Sequence, residues 1–243
     1  MTVENLGGPP PVIVFIAQLG TDGESWRPVL DHLHGLPTFT YDRPGTGKAP
    51  PRPAPNPPLP YGVFAAELDE LLEQHRVQAP LVLVGHSFGS LIARAYAAAH
   101  PGKVAGLVHV DGSIPQFHLI PTGDPKFDGG TEIDVVAGQL EILSMDLPRV
   151  PTLVLTRTPG RWSGSEGPPH PRVEDLWLVS QQILARESAA PLIVAYSSSH
   201  QMPAEVPELV AYAVSEVHDA VFRQSTVALD PAILAGLGGR RDN

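Results

Sequence analysis

Leu81-Val82-Leu83-Val84-Gly85-His86-Ser87-Phe88-Gly89-Ser90 runs directly into Leu91-Ile92-Ala93-Arg94-Ala95-Tyr96-Ala97-Ala98-Ala99. Four consecutive apolar residues rich in valine predict a fully buried strand, and Leu91, Ile92, Ala95, Tyr96 and Ala99 recur at helical spacing after Gly89. Ser87 therefore stands on a corner where a strand turns at once into a helix. So sharp a corner holds its central residue in a strained conformation, and it pushes the hydroxyl out above the sheet edge. Glycines at 85 and 89 leave room for the turn. An exposed hydroxyl is what a nucleophile needs, and Ser87 is read as one. The competing reading, a surface serine in a glycine-rich turn, leaves the flanking strand and helix unexplained.

Upstream of that corner, Val12 to Ile16 reads as a buried strand closed by Ala17-Gln18-Leu19-Gly20, with a helix from Trp26 to about His34. Thr38 to Tyr41 is a short strand, followed by the turn Asp42-Arg43-Pro44-Gly45-Thr46-Gly47. Lys48 does not complete a phosphate-binding loop, because Ala49 follows it and Asp42 occupies the place of the first glycine. Asp42 and Arg43 are read as a structural ion pair or loop hydrogen-bonders. The prolines crowding residues 49–60 forbid helix and predict a stiff, extended surface loop. Phe64, Leu68, Leu71, Leu72 and His75 then mark a one-sided helix, with His75 at its end.

Downstream, Val104 to Val110 is a buried strand ending at Asp111. From about 113 to 147 the composition changes. Only Ile133 to Leu143 reads as helix there, and the stretch is taken as a short cap inserted over the strand ends. Two more strands, Pro151 to Thr156 and Leu192 to Tyr196, flank a helix through Leu176, Val179, Ile183 and Leu184. A closing helix carries Leu209, Val210, Ala213, Val214, Val217 and Val221, and residues from about 225 to 243 are read as a mobile tail. Strands alternating with helices predict an α/β protein: a mostly parallel sheet of about six strands, helices on both faces, one domain over 1–243.

Composition narrows the function. A net charge of −10 repels phosphate backbones and anionic lipid heads, so neither nucleic acid nor membrane is an expected partner. The absence of cysteine excludes thiolate chemistry and Cys-ligated metal. No apolar run approaches the ~20 residues of a membrane span, and the first residues lack a basic and an apolar signal region. Cytoplasmic localisation is the expectation.

Gly-His-Ser-Phe-Gly at 85–89, Tyr-Asp-Arg-Pro-Gly-Thr-Gly at 41–47, Val-Asp at 110–111 and Ser-Ser-His at 198–200 make the chain similar to the α/β-hydrolase fold enzymes, from Pro11 to about Val221. The resemblance implies a triad in the chain order serine, acid, histidine. Among ten histidines, only His200 lies in a loop after the last strand and before the final helix, and it is the candidate base. His86 is expected to point elsewhere by strand alternation. His109 falls in a buried strand, and His32, His34, His100 and His218 fall on helices or their ends.

In most of that family the acid follows the strand read here as Pro151 to Thr156. This chain has Arg157-Thr158-Pro159-Gly160-Arg161-Trp162 there, with no carboxylate before Glu166. Asp111, at the neighbouring strand end from which some members draw their acid, is the candidate, with Glu166, Asp175 or no acid at all as alternatives. The resemblance also implies an oxyanion hole from two backbone amides, Leu19 and Phe88, although Ala17-Gln18 stands where His-Gly is usual. The Gln18 side chain is expected to cap the strand end or face the substrate. An N-terminal antiparallel hairpin, common in the family, has almost no room before Val12.

The implied activity is serine-dependent hydrolysis of an ester or thioester of a small organic molecule, with no cofactor and no metal. The departures at Gln18 and at the usual acid position leave two alternatives. One is a cofactor-free lyase, cyclase or isomerase using Ser87 and His200 for proton transfer, and the other is a non-catalytic ligand-binding protein.

Overall fold

A computed structural model of the chain describes residues 3–6, 8–53, 56–114, 125–162 and 171–242. Its first half carries β1 (Val3–Leu6), β2 (Val12–Ile16), a 3-10 turn (Gly23–Trp26) leading into α1 (Arg27–Leu30), β3 (Thr38–Tyr41), α2 (Tyr61–Gln74), β4 (Leu81–His86), α3 (Phe88–Ala99) and β5 (Val104–Val110). The hairpin β6 (Phe127–Asp128) and β7 (Thr131–Glu132) follows, then α4 (Val135–Leu143), β8 (Thr152–Thr156), α5 (Pro171–Glu187) and β9 (Leu192–Ala195). The chain closes with α6 (Met202–Glu205), α7 (Pro207–Phe222), α8 (Pro231–Gly236) and β10 (Gly239–Asp242).

Eight strands form one sheet in the order β1-β3-β2-β4-β5-β8-β9-β10. The inner six are parallel, and β1 and β10 add antiparallel edges. Strand residues alternate between two apolar layers. Val12, Val14, Ile16, Leu81 and Leu83 pack against Phe64, Leu68, Leu71 and Leu72 of α2 and Leu91, Ala95 and Tyr96 of α3. Ile13, Phe15, Val82, Val84, Val108 and Val110 face Leu209, Val210, Val214 and Val217 of α7. Burial on both faces is why these strands are continuous apolar runs rather than alternating ones.

Both ends of the chain correct the sequence reading. A strand does precede Val12, with Val3 opposite Tyr41, and the expected mobile tail instead forms α8 and β10, with Gly239 opposite Ala195. Edge strands are held chiefly by backbone hydrogen bonds, and Gly-Arg-Arg-Asp in β10 has the charged character that protects an edge from further pairing. Neither strand therefore carries an apolar pattern to read. The helix expected from Trp26 to about His34 is also shorter: α1 ends at Leu30, and Gly35, at φ 79°, turns the chain towards β3.

Within the insertion, α4 starts at Val135 because the Asp134 carboxylate accepts from the Ala137 amide at 2.8 Å. Residues 115–124 of the expected cap lie outside the described residues. No helix among the described residues is long and apolar enough to cross a membrane.

From β2 the chain steps to β3 on one side and returns to β4 on the other. Loops leaving the carboxyl ends of β2 and β4 therefore diverge, opening a crevice at the place where ligands bind open parallel sheets.

Candidate active site

The turn from β4 into α3 is as tight as the sequence requires. A Cβ on Gly85 would lie 2.6 Å from the Gly89 backbone, and one on Gly89 would lie 2.2 Å from the Ile16 carbonyl oxygen, so only glycine fits at either position. Between them Ser87 sits at φ 52° and ψ −117°, a conformation that L residues rarely adopt. Its amide donates to the Val110 carbonyl (3.1 Å), and its carbonyl accepts from Ser90 (3.0 Å) and Ser113 (3.1 Å), which fixes the corner.

Asp111 ends β5 in a similarly unusual conformation, at φ 42°, with its amide donating to the Leu155 carbonyl at 2.8 Å. Its carboxylate is fully buried and densely solvated by protein. Oδ1 accepts from Thr156 Oγ1 (2.9 Å), Trp177 Nε1 (2.9 Å) and the Arg157 amide (3.1 Å), while Oδ2 takes His200 Nδ1 (2.6 Å) and Arg157 Nη1 (3.2 Å). Burial alone pushes this carboxyl up. The bond and charge of His200, the Arg157 guanidinium and the Trp177 donor outweigh it and hold Asp111 well below the usual carboxylate range. An ionised carboxylate only accepts, so Nδ1 of His200 carries the hydrogen and Nε2 is left as the basic nitrogen.

The imidazole of His200 sits in an aromatic box. Trp177 meets it edge-on with ring centroids 5.6 Å apart, Trp162 lies parallel at 6.4 Å, and the His86 ring is 4.9 Å away. His86 Nε2 lies 2.7 Å from the His200 carbonyl, so that nitrogen must be the donor. Burial, then the neighbouring His200 charge, pushes His86 down to about 3 and keeps it neutral. Strand alternation does carry this ring to the α7 side of the sheet, beside Trp26, but the His200 loop lies on that side too. His86 thus supports His200, a role that the sequence reading missed.

The loop after β2 is clamped from behind. Arg43 donates to the carbonyls of Ala17 (2.8 Å) and Gln18 (2.7 Å) and is neutralised by Asp128 through Nε (2.7 Å) and Nη2 (2.8 Å). Asp128 Oδ1 also accepts from the Gly20 amide at 2.9 Å. Across a trans peptide the N–H opposes the C=O, so with the Gln18 carbonyl turned to Arg43 the Leu19 amide faces the other way. Phe88 begins α3, where the first amides have no intrahelical acceptor. The Gln18 side chain neither caps β2 nor enters the cavity: its Nε2 donates to Gln201 Oε1 at 2.9 Å, tying this loop to that of His200. Asp42 accepts from the Gly23 and Lys48 amides, both at 3.0 Å, so the ionic partner of Arg43 is Asp128 from the insertion rather than its neighbour.

Where the acid is usual in the resembling family, this chain places buried Arg157. It bridges Asp111 and Glu174 (2.6 Å to the latter) and lies between the rings of Trp162 and Trp177, 4.4 and 4.9 Å from their centroids. These demands reorient α5. Its inward face is Trp177, Ser180, Gln181 and Leu184, while Leu176 and Val179 are exposed, because Trp177 reaches Asp111 and Gln181 donates to the Gly112 carbonyl at 2.7 Å. Of the alternative acids, Asp175 is exposed on α5 and Glu166 lies outside the described residues.

Ser87 and His200 open onto one cavity of about 300 Å³, walled by Leu19, Tyr61, Phe88, Ser113, Lys126, Ile133, Val135, Trp162 and Trp177. A larger cleft of about 880 Å³, lined by Arg94, Arg149 and Arg241 among others, includes neither side chain. Among the described residues no three His, Asp or Glu side chains converge as metal ligands.

Comparison with known proteins agrees with this architecture. A family model described as alpha/beta hydrolase fold matches residues 11–132. "Uncharacterized protein YqjL" of Bacillus subtilis (strain 168) is 28% identical over 227 residues, spanning 88% of this chain and 85% of the relative. "Putative carbamate hydrolase RutD" of Escherichia coli O157:H7 is 36% identical over 105 residues, 42% of this chain and 38% of the relative. A solved thermophilic esterase from Thermogutta terrifontis shares the fold with a TM-score of 0.62 at 18% identity, over 90% of this chain and 93% of that one. With half its length matched by the family model and the same architecture throughout, this chain belongs to the α/β hydrolase fold family.

Proposed function

We propose that this protein is a serine-dependent hydrolase of a small-molecule ester or thioester, working through an acyl-enzyme. The reading is carried by one observation: the strained Ser87 corner and His200, whose Nδ1 is held by buried Asp111, open onto the same cavity. Ser87 Oγ attacks the acyl carbon while its proton passes to His200 Nε2. The amides of Leu19 and Phe88 receive the oxyanion, each such donor being worth roughly 10²–10³ in rate. Collapse expels the alcohol or thiol, which takes the proton from His200. Water then attacks the acyl group, giving its proton to His200 and releasing the acid and free Ser87. Asp111, ionised throughout, keeps the Nδ1 hydrogen in place and stabilises the imidazolium.

Ile133 and Val135 of the insertion line the cavity, which supports the reading of residues 113–147 as a cap over the site. Two relatives matched over 42% and 43% of this chain carry names that support the reading, a putative carbamate hydrolase and Lipase LipV of Mycobacterium tuberculosis. A fluorophosphonate tests the proposal. It is expected to label the native protein on Ser87 and to leave Ser87→Ala unlabelled; a folded native protein that stays unlabelled overturns it.

A further inference from the structure

Among the described residues that line the cavity over Ser87, one carries a fixed charge. Leu19, Tyr61, Ile133, Val135 and the two tryptophans give it an apolar wall, and no Asp or Glu is among its described lining residues. Lys126 is the exception. The arginines around the site whose side chains are buried are committed: Arg43 to Asp128, Arg52 to Glu67, and Arg157 to both Asp111 and Glu174. Lys126 has no carboxylate partner among the described residues, yet it is half-buried on the cavity wall.

Its position is built rather than accidental. The Lys126 carbonyl accepts from the Ile133 amide at 2.8 Å across the β6–β7 hairpin. Two residues on, Asp128 anchors that hairpin through the buried pair with Arg43 and the Gly20 amide. The ion pair that clamps the loop carrying Leu19 therefore also fixes where Lys126 meets the cavity wall. An ammonium on an apolar, aromatic wall interacts strongly with an opposite charge brought into the same space, because little water remains to screen it.

Resting on the hydrolase reading above, we propose that Lys126 is a specificity-determining residue that binds a carboxylate on the substrate. The substrate class is then an ester or thioester with an apolar chain ending in a free carboxylate, such as the half-ester of a dicarboxylic acid. The carboxylate forms an ion pair with the Lys126 ammonium while the chain packs on Trp162, Trp177 and Ile133.

Matched esters of equal chain length test this: mono(4-nitrophenyl) adipate and 4-nitrophenyl hexanoate. The native protein is expected to prefer the adipate by about tenfold in kcat/KM, the scale of one charge-assisted contact. Lys126→Met should abolish that preference, Lys126→Glu should reverse it, and Lys126→Arg should retain it. An adipate-to-hexanoate ratio that is the same in the native protein and Lys126→Met overturns the proposal. A second measurement separates it from the hydrolase reading: calorimetric binding of the adipate dianion, which needs no turnover. Adipate bound by the native protein and about tenfold more weakly by Lys126→Met supports the carboxylate site even if Ser87 resists the fluorophosphonate. Equal affinity in the two proteins, or no binding to either, counts against it.

Discussion

Lowering the pH from 7 to 5 should destabilise this protein by an amount set largely by two side chains. His86 and His109 are buried, and burial pushes each down to about 3, helped by the His200 charge at the first and the Arg94 charge at the second. In the unfolded chain both titrate near the ordinary ~6.5. Between those values the unfolded state binds protons that the native state refuses. The stability tied to each neutral imidazole is therefore intact above about 6.5 and drains away as the pH falls towards 3. Linkage puts the loss between pH 7 and pH 5 at about 2 kcal/mol per histidine, or about 4 kcal/mol for both. Asp111 does not intrude. Its depressed value means that its own contribution is lost only below the ordinary carboxylate range of about 4. Urea unfolding at pH 7 and pH 5 of the native protein, His86→Gln and His109→Gln gives the comparison. Each variant loses stability at pH 7 through disturbed packing, but its further loss on going to pH 5 should be smaller than the native protein's by about 2 kcal/mol. Variants that lose as much as the native protein between the two pH values would show that these imidazoles are not held neutral.

Three further outcomes follow from the geometry. Asp111→Asn keeps the volume but removes the charge that four side chains converge on, so under the proposed mechanism kcat should fall by roughly 10⁴, the scale of that amidation in a Ser-His-Asp triad; steady-state kinetics on 4-nitrophenyl esters reads it. Gln18→Leu severs the side-chain hydrogen bond that ties the loop of Leu19 to the loop of His200. It should lower kcat by about tenfold with little change in melting temperature, the mark of lost alignment rather than lost stability. Ending the chain at residue 230 removes α8 and β10, uncovering the backbone edge of β9 and the buried Leu234 contact. Stability should drop by at least about 2 kcal/mol and soluble yield with it, whereas a truncated chain as stable as the native one would restore the reading of this segment as a mobile tail.

How much of this was legible in the sequence depended on what holds each element. The inner strands are buried on both faces, so apolar runs such as Val12 to Ile16 and Leu81 to Val84 announce them, and the two glycines around Ser87 announce the corner because nothing larger fits there. β1 and β10 pair as antiparallel edges, and their sequences, Val-Glu-Asn-Leu and Gly-Arg-Arg-Asp, carry no apolar run to read. In α5, Leu184 is buried as its spacing implies, but Leu176 and Val179 are not, because the inward face is chosen by what Trp177 and Gln181 must reach, not by hydrophobicity. His86 and the Arg43–Asp128 pair escaped notice for a related reason: their partners lie 114 and 85 residues away in the chain, and side-chain contacts at such separations have no local signature.

The acid is the instructive case. With Arg157 at the end of β8, the sequence seemed to lack a carboxylate where one was needed, but the charges around His200 show why a cation serves there. Asp111 and Glu174 bring two negative charges, and Arg157 returns one. The cluster is thus left one charge negative while His200 is neutral. In the proposed mechanism the proton from Ser87 turns His200 into a cation, and the buried cluster becomes neutral at the step where the tetrahedral intermediate forms. A carboxylate in place of Arg157 would instead leave this largely buried, aromatic site with three negative charges and one positive at that step, and with three uncompensated charges at rest. Burial at that net charge is costly enough that the carboxyls would protonate before they could hold the Nδ1 hydrogen. Under the proposed mechanism, an acid at the end of β5 and an arginine at the end of β8 are therefore one adjustment rather than two departures.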